Sequence, residues 1–79
     1  MKEGRAKGRA LAILKKAMCE AGAAGEDVVV IYGRGKVWYK KMLTAKWEDG
    51  QIKYEGAWWS WEDGLKVKAR VEELLDGEL

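Results

Sequence analysis

Histidine, proline and phenylalanine are absent from this 79-residue sequence, and cysteine occurs once, at Cys19. Without histidine, the chain lacks the commonest general base, the commonest metal ligand and the usual partner of a serine or cysteine nucleophile. One cysteine forms neither an internal disulfide nor a cysteine-based metal site. These absences predict a protein that is not an enzyme and that carries no metal or other cofactor.

Long apolar runs are also missing. No stretch approaches the roughly 20 apolar residues that a membrane helix needs, and the basic amino terminus lacks the apolar segment of a signal peptide. We therefore expect no membrane contact and a cytoplasmic location. A chain of this length forms one domain, residues 1–79, with little room for a deep pocket.

Periodic apolar residues predict a first helix from about Arg5 to Ala24, because Leu11, Leu14 and Met18 recur at spacings of three and four. Gly22 or Gly25 is expected to end it. The opposite side of this helix carries four basic residues, namely Arg5, Arg9, Lys15 and Lys16. Such a face could contact phosphates, although solvated helix faces commonly have this composition.

The next segment predicts a three-stranded antiparallel meander. The residues from Val28 to Tyr32 are four consecutive β-branched residues and a tyrosine, which is typical of a strand. Gly33-Arg34-Gly35-Lys36 predicts a turn, and a second strand is expected over residues 37–47. Asp49-Gly50 is a strong signal for a tight hairpin, so a third strand follows over residues 51–59.

The tight turn at residues 49–50 sets the expected register, with Trp47 opposite Ile52 on the face that packs against the first helix. Because side chains alternate between the faces of a strand, Leu43 is predicted on this helix-facing side and Thr44 on the other side. The other face is predicted to mix aromatic, aliphatic and basic side chains, namely Trp38, Lys40, Met42, Lys46, Lys53 and Trp59.

This mixed face is the strongest candidate binding site. Tryptophan and methionine are common anchors of protein interfaces, whereas aromatic rings interleaved with lysines also suit single-stranded nucleic acid. Lys40 is expected opposite Trp59 as a cation–π pair. The net charge of only +2 and an acidic closing segment favour a protein or nucleoprotein partner.

The leading hypothesis is therefore a small non-enzymatic binding protein, of the inhibitor or adaptor type that phages encode. The alternative is a nucleic-acid-binding module that uses the same face together with the basic first helix. Salt separates the two, because nucleic-acid affinity falls steeply as ionic strength rises.

Residues 61–76 fit two structures. Ser60 and Asp63 form a pair typical of a capping box, and Val67, Val71 and the leucines after them form a helical stripe. This pattern favours a C-terminal helix. Apolar residues at every second position from 65 to 71 fit a fourth strand instead. Either structure gives an α+β fold.

With a closing helix, the order α-β-β-β-α resembles the double-stranded-RNA-binding domain over most of the chain. Tyr54-Glu55-Gly56 followed by Ser60 resembles the end of that family's third strand and the start of its last helix. The family opens that helix with lysines that grip phosphates. Here Trp61-Glu62-Asp63 occupies the position, so the RNA-binding residues are not carried over. With a fourth strand, the sheet would resemble a small Tudor- or chromo-type barrel.

The first strand raises a separate hypothesis. It is apolar on both faces, and a meander places it at the sheet edge, where exposed apolar strands pair with other chains. We expect the edge from Val28 to Tyr32 to form a homodimer or to dock a partner strand.

Overall fold

The computed structural model describes the backbone of residues 2–78 and the side chains of residues 4–77. The elements in chain order are helix α1 (Lys2–Glu20), strands β1 (Val28–Ile31), β2 (Lys36–Tyr39), β3 (Met42–Glu48) and β4 (Gln51–Tyr54), and helix α2 (Glu62–Glu78). Short 3₁₀ segments occupy Gly25–Asp27, Tyr32–Arg34 and Ala57–Ser60. The predicted α+β class, with one helix before and one after an antiparallel sheet, is confirmed.

Helix α1 ends at Glu20, before the predicted Ala24, because Gly22, one of the two predicted stop residues, closes it in a Schellman motif. Gly22 has a φ of 107°, a backbone conformation that glycine adopts readily. Its N–H donates to the Cys19 carbonyl over 3.1 Å, and the N–H of Ala23 donates to the Met18 carbonyl over 3.0 Å. None of the helices within residues 2–78 is long and apolar enough to cross a membrane.

The predicted second strand is two strands, β2 and β3, joined by a turn at Lys40-Lys41. The two lysines have φ values of 52° and 65°, and positive φ at both central residues is the geometry of a type I′ hairpin. Lysine is not a preferred residue in such a turn, so the sequence carried no signal for it. The sheet consequently has four strands, in the order β1-β2-β3-β4, rather than three.

The closing segment is helical, and residues 65–71 lie inside α2. The sheet does have a fourth strand, but it comes from the division of the predicted second strand. The capping pair is wrong, because the Ser60 hydroxyl donates to the Ala57 carbonyl over 2.6 Å and α2 begins at Glu62. The element order differs from α-β-β-β-α by one strand, and the resemblance to the RNA-binding family stays a prediction.

A β-bulge at Thr44 shifts β3 against β2. Val37 lies opposite Ala45 and Trp38 lies opposite Leu43, so Thr44 is the extra residue on β3. The bulge inverts the alternation of side chains toward the amino end of β3. The predicted positions of Met42, Leu43 and Thr44 are therefore wrong. Leu43 shares the face of Trp38, Met42 lies opposite Tyr39 and shares its face, and Thr44 is buried.

Hydrogen bonds engage both the hydroxyl and the carbonyl of Thr44 in this bulge. The Thr44 hydroxyl donates to the Val37 carbonyl over 3.0 Å. The Thr44 carbonyl accepts the N–H of Glu55 over 2.9 Å and the indole N–H of Trp59. The bulge thus ties β3 to the segment that follows β4.

Both helices lie against one face of the sheet, here called the inner face. Helix α1 packs against β1, β2 and α2, and α2 also packs against the 3₁₀ segment Ala57–Ser60. The buried core contains Leu11, Leu14, Met18, Val28, Val37, Ala45, Trp59, Val67 and Val71. The opposite or outer face of the sheet is covered by neither of the described helices.

Candidate binding surface

A row of apolar side chains crosses three strands on the outer face. Val29 of β1 lies opposite Trp38 of β2, which lies opposite Leu43 of β3. Val29 is 48% exposed, Trp38 is 37% exposed and Leu43 is half-buried. Side chains directly opposite one another on neighbouring strands are in contact range, so the three form a continuous strip.

A groove at the end of this strip extends the apolar surface. It encloses about 190 Å³, and Met42, Leu43, Ala57 and Trp61 are among the residues that line it. Trp61 is 62% exposed and Met42 is 56% exposed. We call the strip and the groove residues the apolar patch: Val29, Trp38, Met42, Leu43 and Trp61. Contiguous exposed apolar surface on a small protein is typical of an interaction site.

Three lysines form the next row on the outer face. Lys36, Lys46 and Lys53 lie opposite one another on β2, β3 and β4, and like charges in this arrangement repel. The Glu48 carboxylate bridges two of them, with one oxygen 3.1 Å from Lys46 Nζ and the other 2.6 Å from Lys53 Nζ. Lys46 also pairs with Glu55 at 3.1 Å.

The ion pairs shift the pKa values of their members. Hydrogen bonds from Lys53 and Lys46 lower the pKa of the Glu48 carboxyl. The hydrogen bond to Glu48 is also the main cause of a raised pKa at each of the two lysines. These accessible pairs add little to stability. Because Lys46 and Lys53 already face carboxylates, the two lysines present a weaker positive potential to a phosphate.

Trp59, predicted on the outer face, is buried. It is 6% exposed and belongs to the 3₁₀ segment Ala57–Ser60. Its ring packs edge-on against Tyr54 and Trp58, with centroids 4.5 and 4.8 Å away. The prediction is wrong because strand β4 ends at Tyr54, and alternation of faces does not continue beyond the end of a strand.

Lys40 lies in the β2–β3 turn and not opposite Trp59, so the predicted cation–π pair is also wrong. Its Nζ is 5.2 Å from the centroid of the Tyr39 ring. Lys40 and its neighbour Lys41 are exposed, and Met42 of the apolar patch follows them directly. The turn therefore places two positive charges beside the patch.

The four basic residues of the first helix lie away from this surface. Arg5, Arg9 and Lys16 are exposed and Lys15 is half-buried. Because α1 packs on the inner face, its solvent-facing side and the outer face of the sheet are on opposite sides of the molecule. The two predicted contacts to nucleic acid consequently do not form one surface.

Sequence reasoning missed three members of the apolar patch. Val29 shares the face of Trp38 once the first hairpin is in register, so strand alternation could have identified it. Leu43 was assigned to the wrong face because the bulge has no sequence signal. The sequence pattern predicts Trp61 at the start of the last helix. In the structure Trp61 precedes α2, and it is not part of the apolar stripe of that helix.

A second cavity lies on the other side of the molecule, between α1, the β3–β4 hairpin and the end of α2. It encloses about 280 Å³ and is lined by Ala6, Arg9, Ala10, Trp47, Gly50, Gln51, Ile52 and Leu75. Within the described residues, the indole nitrogen of Trp47 is the buried side-chain polar atom that has no hydrogen-bond partner. The lining offers no carboxylate, thiol or hydroxyl for acid–base or nucleophilic chemistry.

Metal-ligating side chains are dispersed. Across the part of the chain that the structure describes, no group of three or more histidine, cysteine, aspartate or glutamate side chains is placed to hold a metal ion. Comparisons with protein-family models, curated proteins and solved structures found no match.

Proposed function

We propose that this chain is a small binding protein that docks on a protein, or on the protein part of a nucleoprotein, through the apolar patch. The observation that carries the proposal is an open sheet face on which Val29, Trp38 and Leu43 form one strip that continues to Trp61. Tryptophan and methionine provide large contact areas and are common energetic anchors of protein interfaces.

The charges around the patch indicate the partner's chemistry. Lys40 and Lys41 stand beside it in the β2–β3 turn, whereas Lys46 and Lys53 are paired with acidic residues. A complementary partner presents apolar side chains at the centre of its surface and carboxylates at the rim, next to the turn. Rim charges of this kind mainly set the association rate and the choice of partner.

A nucleic acid fits this surface less well. Stacking proteins combine rings with cations that remain available to phosphates, but here two of the outer-face lysines bridge to Glu48 and Glu55. The basic face of α1 is the second candidate site for nucleic acid, favoured by the exposed Arg5, Arg9 and Lys16. A nucleic acid bound to this face of α1 would not contact the tryptophans of the apolar patch.

Fluorescence anisotropy with labelled single- and double-stranded DNA and RNA distinguishes these functions. At low salt we expect no saturable binding that depends on the apolar patch. Any weak association should disappear at physiological salt and should be reduced by Lys16→Glu but not by Trp38→Ala. Tight binding that Trp38→Ala abolishes would contradict the proposal and favour nucleic-acid recognition by the sheet.

The partner itself is identified by capture from an extract of the organism that encodes the chain, with three immobilised baits. The relevant protein is retained at high salt by wild type and by Lys16→Ala, and is lost from Trp38→Ala. Proteins retained equally by all three baits are not partners of the apolar patch.

A further inference from the structure

The two edges of the sheet differ in their protection against strand addition. Strand β4 carries Lys53, and lysine is one of the residues that keep edge strands from pairing with other chains. Strand β1 consists of Val28, Val29, Val30 and Ile31, without charge or proline. Its pairing with β2 runs without a register shift. Strand β1 is therefore the edge that is suited to accept another strand.

A hydrogen bond shows which backbone groups of β1 point outward. The N–H of Lys40 donates to the Asp27 carbonyl over 2.9 Å, so the backbone of Asp27 is directed toward β2. Alternate residues of an antiparallel strand direct their backbone groups to the same side, which places those of Val29 toward β2 as well. The groups of Val28 and Val30 are directed away from the sheet.

We propose that two copies of this chain associate by antiparallel pairing of their β1 strands, which joins two four-stranded sheets into one of eight strands. A two-fold axis at Val29 lets the N–H of Val30 in each copy reach the Val28 carbonyl of the other. The pairing keeps equivalent faces together, since opposed residues in an antiparallel pair share a face. This association requires no other protein.

The charges that flank β1 match this arrangement. Glu26 precedes the strand, Arg34 follows it, and both side chains are exposed. Antiparallel pairing about the two-fold axis places Glu26 of one copy opposite Tyr32 of the other, two residues from Arg34. The two long side chains can span this offset, so the axis allows two ion pairs between Glu26 and Arg34. Lys40 and Lys41 share a groove with Glu26, which makes the attraction modest and leaves most of the association to the backbone.

The pairing also enlarges the apolar patch. With Val29 of one copy opposite Val29 of its partner, the strip of Val29, Trp38 and Leu43 becomes one row across both sheets. A four-residue edge buries less than the roughly 1,600 Å² of a standard interface. The dimer is therefore expected to be weak and to depend on protein concentration.

Sedimentation equilibrium tests the pairing. For wild type, we expect the apparent mass to rise with concentration from the 8.9 kDa of the single chain toward twice that value. Glu26→Arg and Arg34→Glu each replace two attractive contacts by two repulsive ones and should raise the dissociation constant by about tenfold. Lys16→Glu, which changes net charge by the same amount as Arg34→Glu, should leave it unchanged.

Mixing the two variants makes the test specific. In a mixed dimer, the arginine introduced at position 26 of one variant meets the glutamate introduced at position 34 of the other, and the native Glu26 and Arg34 meet at the second contact. The equimolar mixture should therefore dimerise like wild type although neither variant does alone. Hydrogen exchange at the amide of Val30 should slow as concentration rises. Exchange at Ile52 on β4, whose amide also points away from the sheet at the opposite edge, should not change. A monomer at every concentration, or a dimer insensitive to both substitutions, would overturn the inference.

Discussion

At the residue scale, Gly64 lets α2 approach the 3₁₀ segment Ala57–Ser60 more closely than any side chain would permit. A Cβ at this position would overlap the Trp58 carbonyl oxygen and would lie 2.8 Å from the Trp59 Cα. Both are backbone atoms, which cannot rotate away. The close approach holds the first turn of α2 against the segment that buries Trp59.

Gly64→Ala is accordingly expected to destabilise the protein by about 2 kcal/mol or more, because the backbones must move apart. Gly8→Ala in α1 is the matched control, since a Cβ there meets no atom within 4 Å. It should stabilise the protein by up to about 1 kcal/mol through helix propensity. Urea denaturation measures both changes. Equal stabilisation by the two substitutions would show that α2 does not pack as described.

At the element scale, the sequence predicts those features that have strong local signals. The periodicity of α1, the β-branched composition of β1 and the Asp49-Gly50 hairpin are each reproduced, with Trp47 opposite Ile52. The Lys40-Lys41 turn and the Thr44 bulge could not be predicted. Lysine is unfavourable at positive φ, and a bulge depends on hydrogen bonds between residues far apart in sequence.

Substitutions in the Lys40-Lys41 turn should consequently be able to raise the stability of the protein. Replacing the pair by Asn-Gly supplies the residues that a type I′ turn prefers, and we expect the double variant Lys40→Asn/Lys41→Gly to be more stable by about 1 kcal/mol. Thermal or urea unfolding checks this.

The control variant for the Lys40-Lys41 substitution is Gly50→Ala in the β3–β4 hairpin, where the φ of Gly50 is 79°. Adding a Cβ at positive φ should destabilise this hairpin by about 1 kcal/mol. Loss of stability in the Asn-Gly variant would show that residues 36–48 do not form two strands joined by a type I′ turn.

At the scale of the whole molecule, the candidate site was predicted in part. Trp38 is exposed on the outer face as expected. Met42 is exposed as well, but because it lies at the end of the sheet, and its place opposite Tyr39 is not on the predicted face. Trp59 is buried, since its position depended on a strand that ends at Tyr54. The separation of the outer face from the basic side of α1 follows from the layer arrangement, which composition and periodicity do not specify.

The proposed function rests on the apolar strip of the outer face being uncovered, with Lys46 and Lys53 held by carboxylates. It follows that tryptophan, and not basic charge, should dominate the affinity for the partner. Trp38 lies within the strip and Trp61 lines the groove at its end, so the two residues probe the two parts of the apolar patch separately.

Calorimetric titration of the captured partner into four forms of the chain tests this claim most directly: wild type, Trp38→Ala, Trp61→Ala and Lys16→Ala, each checked for folding by circular dichroism. The account predicts a loss of roughly 2 kcal/mol or more in binding free energy for Trp38→Ala, a measurable loss for Trp61→Ala and no change for Lys16→Ala. Wild-type affinity in Trp38→Ala, together with weakened binding by Lys16→Ala, would contradict it.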